Sequence, residues 1–303
     1  MQISGTNEYD TLLARQHAMR LRRQILTPGS SAGEPGEAGN SYDGAAAAAD
    51  QQMIRRHLEP LLPFDALITH LYASMFRRRP YLRRLFPESL DFQREHLGRM
   101  FQHLIDHLHR PDELTVMLGR LGGEHRKLGV WPAQYEAFEE ALCEALRRQA
   151  GQDWCAEAEE AWLRMLRFAV DAMVAGADRA LAEPPYWHAT VTGHERIGAE
   201  LAILRVRTGE PYPLREGQDV TVESPLLPHA WRWYPAYRVP GSESLLEFHV
   251  RRTGPGGVSA ALVEHTRAGD SLRLGPPRQR RRRTRRESVT EISSKSPDSS
   301  ARR

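Results

Sequence analysis

The chain has 303 residues, 40% of them hydrophobic, enough for two buried cores. No run approaches the roughly 20 apolar residues of a membrane span. The N-terminal MQISGTNEYD lacks a basic-then-apolar secretory pattern, so a cytoplasmic protein without a membrane partner is expected.

Residues 8–26 read as a short helix rich in Leu and Arg, and residues 27–44 as a Pro/Gly/Ser linker, together an N-terminal segment 1–44. From 45 to 183 the pattern is helical, with Pro60, Pro63, Pro80, Pro87, Pro111 and Pro132 marking breaks or starts. One helix carries Ile68, Tyr72, Met75 and Phe76 on a face, and the next carries Gln93, Leu97, Met100, Phe101, Leu104 and Leu108. A third carries Leu114, Leu118, Leu121, His125 and Leu128 in steps of three and four. The last runs from about Ala156 to Leu181 with Trp162, Met165, Leu166, Ala169 and Met173 inward.

After Glu183-Pro184-Pro185 the style changes. Residues 184–277 hold β-rich runs (WHATVTGH, LAILRVRTG, DVTVES, LLEFHVRR, SLRLG) separated by turns, the spacing of an antiparallel barrel or sandwich. VSAALVEHTRAG reads as a short helix before the last strand. Residues 278–303 carry ten Lys/Arg against three Asp/Glu, a tail of +7 on a remainder of −4 within the net +3. This tail is expected to be disordered. It lacks interleaved aromatics and helical periodicity, so nucleic acid is not an expected partner. Cys143 and Cys155 fit neither a disulfide framework nor a CxxC site. His103, His107 and His109 lie on a hydrophilic face without an HExxH motif and read as solvated.

Three inward polar residues on three helices stand out: Tyr72, Gln93 and His125. An isolated histidine on an apolar face is more often a satisfied core residue. A buried neutral imidazole is also a good iron ligand. Each unpaired buried polar group costs about 1–3 kcal/mol, so a shared polar ligand would satisfy all three together.

Residues 53–181 resemble bacterial flavohaemoglobins. HLYASMF with RRPYLRRLFP, QREHLGRMF and EHRKLGVWPAQY carry the resemblance. It implies an all-α globin fold binding haem b, then an all-β antiparallel FAD-binding barrel. Within the globin it implies Tyr72 and Gln93 as distal residues, Phe86 and Leu97 packing on the haem, His125 as the iron ligand and Tyr135 as the proximal tyrosine. The spacings from Gln93 to His125 and from His125 to Tyr135 match the family's, whereas the stretch from Phe86 to Gln93 is a few residues shorter. The family's proximal glutamate falls at Arg179, with Asp178 the nearest carboxylate.

Residues 186–277 resemble the FAD barrel of ferredoxin-reductase type. The resemblance places Arg232 on the flavin pyrophosphate and Tyr234 near the isoalloxazine. Pro235 stands where the family has serine. Gly256, Gly257 and Ser259 form the second, phosphate-approaching motif. No nicotinamide-binding βαβ unit is legible, so electrons are expected through FAD from an external reductase. The implied activity is nitric oxide dioxygenase, with oxygen and nitric oxide as ligands. The rival expectation is a non-catalytic oxygen or nitric oxide sensor or store.

Overall fold

The computed structural model describes residues 42–279. The expectations for residues 8–26, for most of the linker and for 280–303 lie outside them.

Six helices form the first layer: α1 (Gly44–Arg56), α2 (Phe64–Arg78), α3 (Asp91–His107), α4 (Pro111–His125), α5 (Pro132–Ala150) and α6 (Ala156–Arg179). Short 3₁₀ turns follow most of them. Prolines act as expected at the starts: Pro111 and Pro132 open α4 and α5, where a missing N–H leaves no helical bond unmade. Asp43 caps α1 by accepting from Ala45 N–H at 3.3 Å.

Trp162 is wholly buried, with the edges of Phe64 and Phe101 at 6.3 and 5.5 Å. Leu67, Ile68, Leu71, Leu104 and Leu142 complete the centre. The closest helix pair is α4 with α6, and glycine makes it possible. A Cβ at Gly122 would lie 1.8 Å from the Met173 carbonyl oxygen, and one at Gly176 would lie 2.0 Å from that of Gly119. The two backbones therefore touch with no side chain between them.

The second layer is a closed antiparallel barrel: β1 (Trp187–Ile197), β2 (Leu201–Thr208), β3 (Gln218–Glu223), β4 (Trp231–Arg238), β5 (Leu245–Arg251) and β6 (Ser271–Leu274). The order is β4-β5-β2-β1-β6-β3, and β3 pairs back onto β4 to close the ring. Alternation puts Ala189, Val191, Leu204, Val206, Val220, Val222, Leu246, Phe248, Leu272 and Leu274 inside. A short helix, α7 (Gly257–Ala260), runs on into a wider turn to His265 and lies against β4.

Two details differ from the sequence reading. The motif run WRWYPAYR, not among the β-rich runs read from the sequence, is itself a full strand, with Pro235 facing Asp219 in the register. Arg278 and Gln279, placed above in the disordered tail, form β7 (Arg278–Gln279) on Asp219 and Gln218. The ordered chain thus passes the expected boundary at 277.

Candidate functional site

His125 is the last residue of α4. Its Nδ1 lies 2.9 Å from the Leu121 carbonyl oxygen, one turn back. A carbonyl can only accept, so Nδ1 carries the proton and the lone pair is left on Nε2. Burial is the largest influence on the ring and lowers its pKa below the usual histidine value. The imidazole is therefore neutral at neutral pH, the form and tautomer a metal requires.

On α2, Tyr72 is buried, stacked on Phe76 at 5.8 Å and met edge-on by Phe86 at 5.5 Å. Burial pushes its hydroxyl up to about 12, so it stays a donor throughout the neutral range. At the start of α3, the Gln93 carbonyl oxygen is shielded from solvent and has no hydrogen-bond partner among the described residues. Leu97 follows one turn later and packs on the same core as Phe86, Leu121 and Tyr135. Burial also raises Tyr135 to about 12. Tyr72, Gln93 and His125 make no hydrogen bond to one another.

His125 takes a backbone carbonyl as its outer partner, and the acid bearing on it is its neighbour Glu124. Arg179 ends α6 with its guanidinium over Gly119 of α4. A carbonyl acceptor makes the imidazole a weaker donor than a carboxylate would.

On the barrel, the Arg232 guanidinium sits 4.3 Å above the Phe92 ring of α3 and donates to the Trp231 carbonyl at 2.9 Å. Tyr234 is buried in the barrel core, and burial holds its hydroxyl up at about 12. Gly256 and Gly257 open α7. Neither has an atom within 4 Å of where a Cβ would be, and Gly257 has φ +80°, so their backbone is open to an approaching group. Ser259 is turned inward, 3.0 Å from the Thr253 hydroxyl.

Four residues with no place in the expected site join the two layers: Glu124, Lys127, Thr221 and Arg278. An i,i+3 Glu/Lys pair was visible in EHRK, but nothing in the sequence said it faced another domain. His103 and His107 stack at 4.2 Å, while His109 meets Gln51 at 3.1 Å. Cys143 and Cys155 are both free thiols.

Fold and site define a class: a helical domain with a buried neutral imidazole and an orphaned Gln93 carbonyl oxygen, followed by a closed antiparallel barrel. Residues 69–173 match the globin family, so the helical layer is a globin domain. Its pairing with the barrel is the plan of flavohaemoproteins. The flavohemoprotein of Rhizobium meliloti is 25% identical over 234 residues, 70% of this chain and 58% of the relative. That of Halalkalibacterium halodurans is 23% identical over 239 residues, 70% of this chain and 57% of the relative. A solved flavohemoglobin from Malassezia yamatoensis, with bound FAD and heme, shares the fold across both layers. Its TM-score is 0.60 over 76% of this chain and 64% of its own, at 16% identity. The chain spans a little under three fifths of the curated relatives it matches. Among the described residues no helix is long and apolar enough to cross a membrane.

Proposed function

We propose that the protein is a haem globin of flavohaemoglobin type that consumes nitric oxide and oxygen to give nitrate, drawing one electron per turnover (NO + O₂ + e⁻ → NO₃⁻). The observation that carries this reading is the state of His125: buried and neutral, with Nδ1–H held by the Leu121 carbonyl so that the lone pair is on Nε2, in the same helical core that holds Tyr72. These residues fit haem b. When bound, haem would supply the gas-binding iron, and FAD the passage of single electrons from a two-electron donor.

The protein's own part is binding and positioning. His125 would hold the iron through Nε2. Tyr72, kept protonated by burial, would donate a hydrogen bond to the gaseous ligand, and the Gln93 amide would add a second polar contact. Phe76, Phe86 and Leu97 would keep water out. Tyr135 would wall the side of His125. On the barrel, the open backbone at Gly256 and Gly257 fits a phosphate group. Arg232 would pair with the flavin pyrophosphate after leaving Phe92, beside Tyr234 and Ser259.

A second reading, a gas-binding or sensing globin without sustained turnover, is favoured by the carbonyl partner of His125. Full-length protein expressed with added haem and flavin separates the two. The expected result is a Soret band with flavin bands, and sustained nitric oxide consumption once a reductase is added. A stable gas complex without flavin supports the sensor. No Soret band at all ends the globin reading, and His125→Ala should abolish that band.

A further inference from the structure

Helix α4 and the 3₁₀ turn that follows it (Arg126–Leu128) present two stripes. Leu114, Leu118, Leu121, His125 and Leu128 form the core stripe described above. Arg120, Glu124 and Lys127, also spaced by four and three, form a second stripe, and it meets the barrel.

The contacts are specific. Lys127 is 8% exposed, although it stands at the surface of its own domain. Its Nζ reaches the Thr221 hydroxyl of β3 at 2.8 Å and lies 5.1 and 5.5 Å from the rings of Trp231 and Trp233 on β4. Gly275, after β6, leaves the slot: a Cβ there would lie 3.2 Å from that Nζ and would overlap the Thr221 hydroxyl. Glu124 pairs with Lys127 and also with Arg278 of β7, the latter at 2.7 Å. Arg278 donates in addition to the Arg120 carbonyl at 2.8 Å. Arg126, between these residues, donates to the Glu183 carbonyl of the segment joining the layers at 2.8 Å. Every one of these contacts falls within five residues of His125.

We propose that Glu124 and Lys127 form an interdomain clamp through which the barrel sets the position of the last turn of α4, and with it the orientation of His125. Lys127 and Glu124 are positioning residues. The barrel then acts on the globin mechanically as well as by any electrons it passes. A buried ammonium is tolerable only while it is paired, hydrogen-bonded and held over aromatic faces. Undocking the barrel would remove Thr221, Trp231, Trp233 and Arg278 together. The existence of the clamp is independent of the haem reading; its effect on the iron rests on that reading.

The test uses the full chain with two readouts. Hydrogen exchange of the amides from Arg120 to Leu128, in haem-free protein, reports the clamp alone. Lys127→Met and the barrel-side changes Thr221→Val and Gly275→Ala should each speed exchange there by on the order of tenfold, from loss of a buried charged contact. Thr221→Ser, which keeps the hydroxyl, should restore slow exchange. In haem-loaded protein the iron–histidine stretching frequency should move in the same direction for Lys127→Met and Thr221→Val, and return with Thr221→Ser. Gly275→Ala guards against a fold defect peculiar to position 221. Unchanged exchange in both barrel-side variants overturns the clamp. Faster exchange with an unmoved stretching frequency overturns the link to His125. Failure to take up haem defeats the haem reading and leaves the exchange test standing.

Discussion

The touching backbones of α4 and α6 make Gly176→Ala a sharp test of the globin packing. The added Cβ would fall 2.0 Å from the Gly119 carbonyl oxygen and 2.4 Å from its carbonyl carbon and Cα. Close carbon–oxygen approaches in proteins are about 3.3–3.6 Å, so the helices must part by roughly 1 Å or more. The obstacle is backbone, which cannot rotate aside. Overpacking of this kind costs about 1–3 kcal/mol, and this contact belongs at the upper end. Alanine returns about 0.5–1 kcal/mol of helix preference over glycine. The net expectation is a loss of about 2 kcal/mol, read as a lower urea midpoint by far-ultraviolet circular dichroism. Gly123→Ala is the control. Its Cβ would meet the Ala180 Cβ at 3.7 Å and the Gly176 carbonyl oxygen at 4.0 Å, both ordinary contacts, so stability should hold or rise by up to about 1 kcal/mol. Equal or greater stability of Gly176→Ala would refute the backbone contact. Because α4 carries His125, the same variant should also release haem faster.

Tyr72→Phe should leave stability within about 1 kcal/mol, since the lost hydroxyl makes no hydrogen bond among the described residues, while gaseous ligands dissociate faster from the haem-loaded protein; an unchanged dissociation rate would remove Tyr72 from the site. Glu144 is held down at about 2 by hydrogen bonds from Ser74, Arg77 and Arg78. Its depressed value means that its contribution is present above the ordinary carboxylate range and fades as pH falls toward 2. In Glu144→Gln the stability deficit should therefore be present at neutral pH and vanish in acid; a deficit constant with pH would contradict the assignment. Tyr72, Tyr135 and Tyr234, all raised to about 12 by burial, favour the fold up to about pH 10 and lose that contribution as pH climbs toward 12. Ultraviolet titration should show these three ionising only as pH approaches 12.

Much of this was legible because periodicity records burial. The three- and four-residue steps in α2, α3, α4 and α6 assign the faces that pack, and His125 to Leu121 is a one-turn distance that any helix supplies. The β4 strand was less legible. Pro235, together with Arg and Trp content, resembles a loop motif unless the partner strand is known. The α4–α6 contact was hidden for a different reason. Gly119, Gly122 and Gly176 lie on two helices far apart in sequence, and only their meeting gives the absent Cβ atoms a purpose. Arg278 was read by composition as part of a solvated tail. Its role depends on Glu124, which no local pattern connects to it. The inward turn of Ser259 likewise depends on Thr253, so sequence could name that residue but not its orientation.

The bond from Arg278 to the Arg120 carbonyl joins positions 158 residues apart. Helical contacts form early because they are local, whereas distant pairings wait for the chain between them. On a ribosome the globin helices would be made and folded while Glu124 and Lys127 still faced water, their barrel partners unmade. The turn that bears His125 is thus synthesised well before the strands that complete its surroundings.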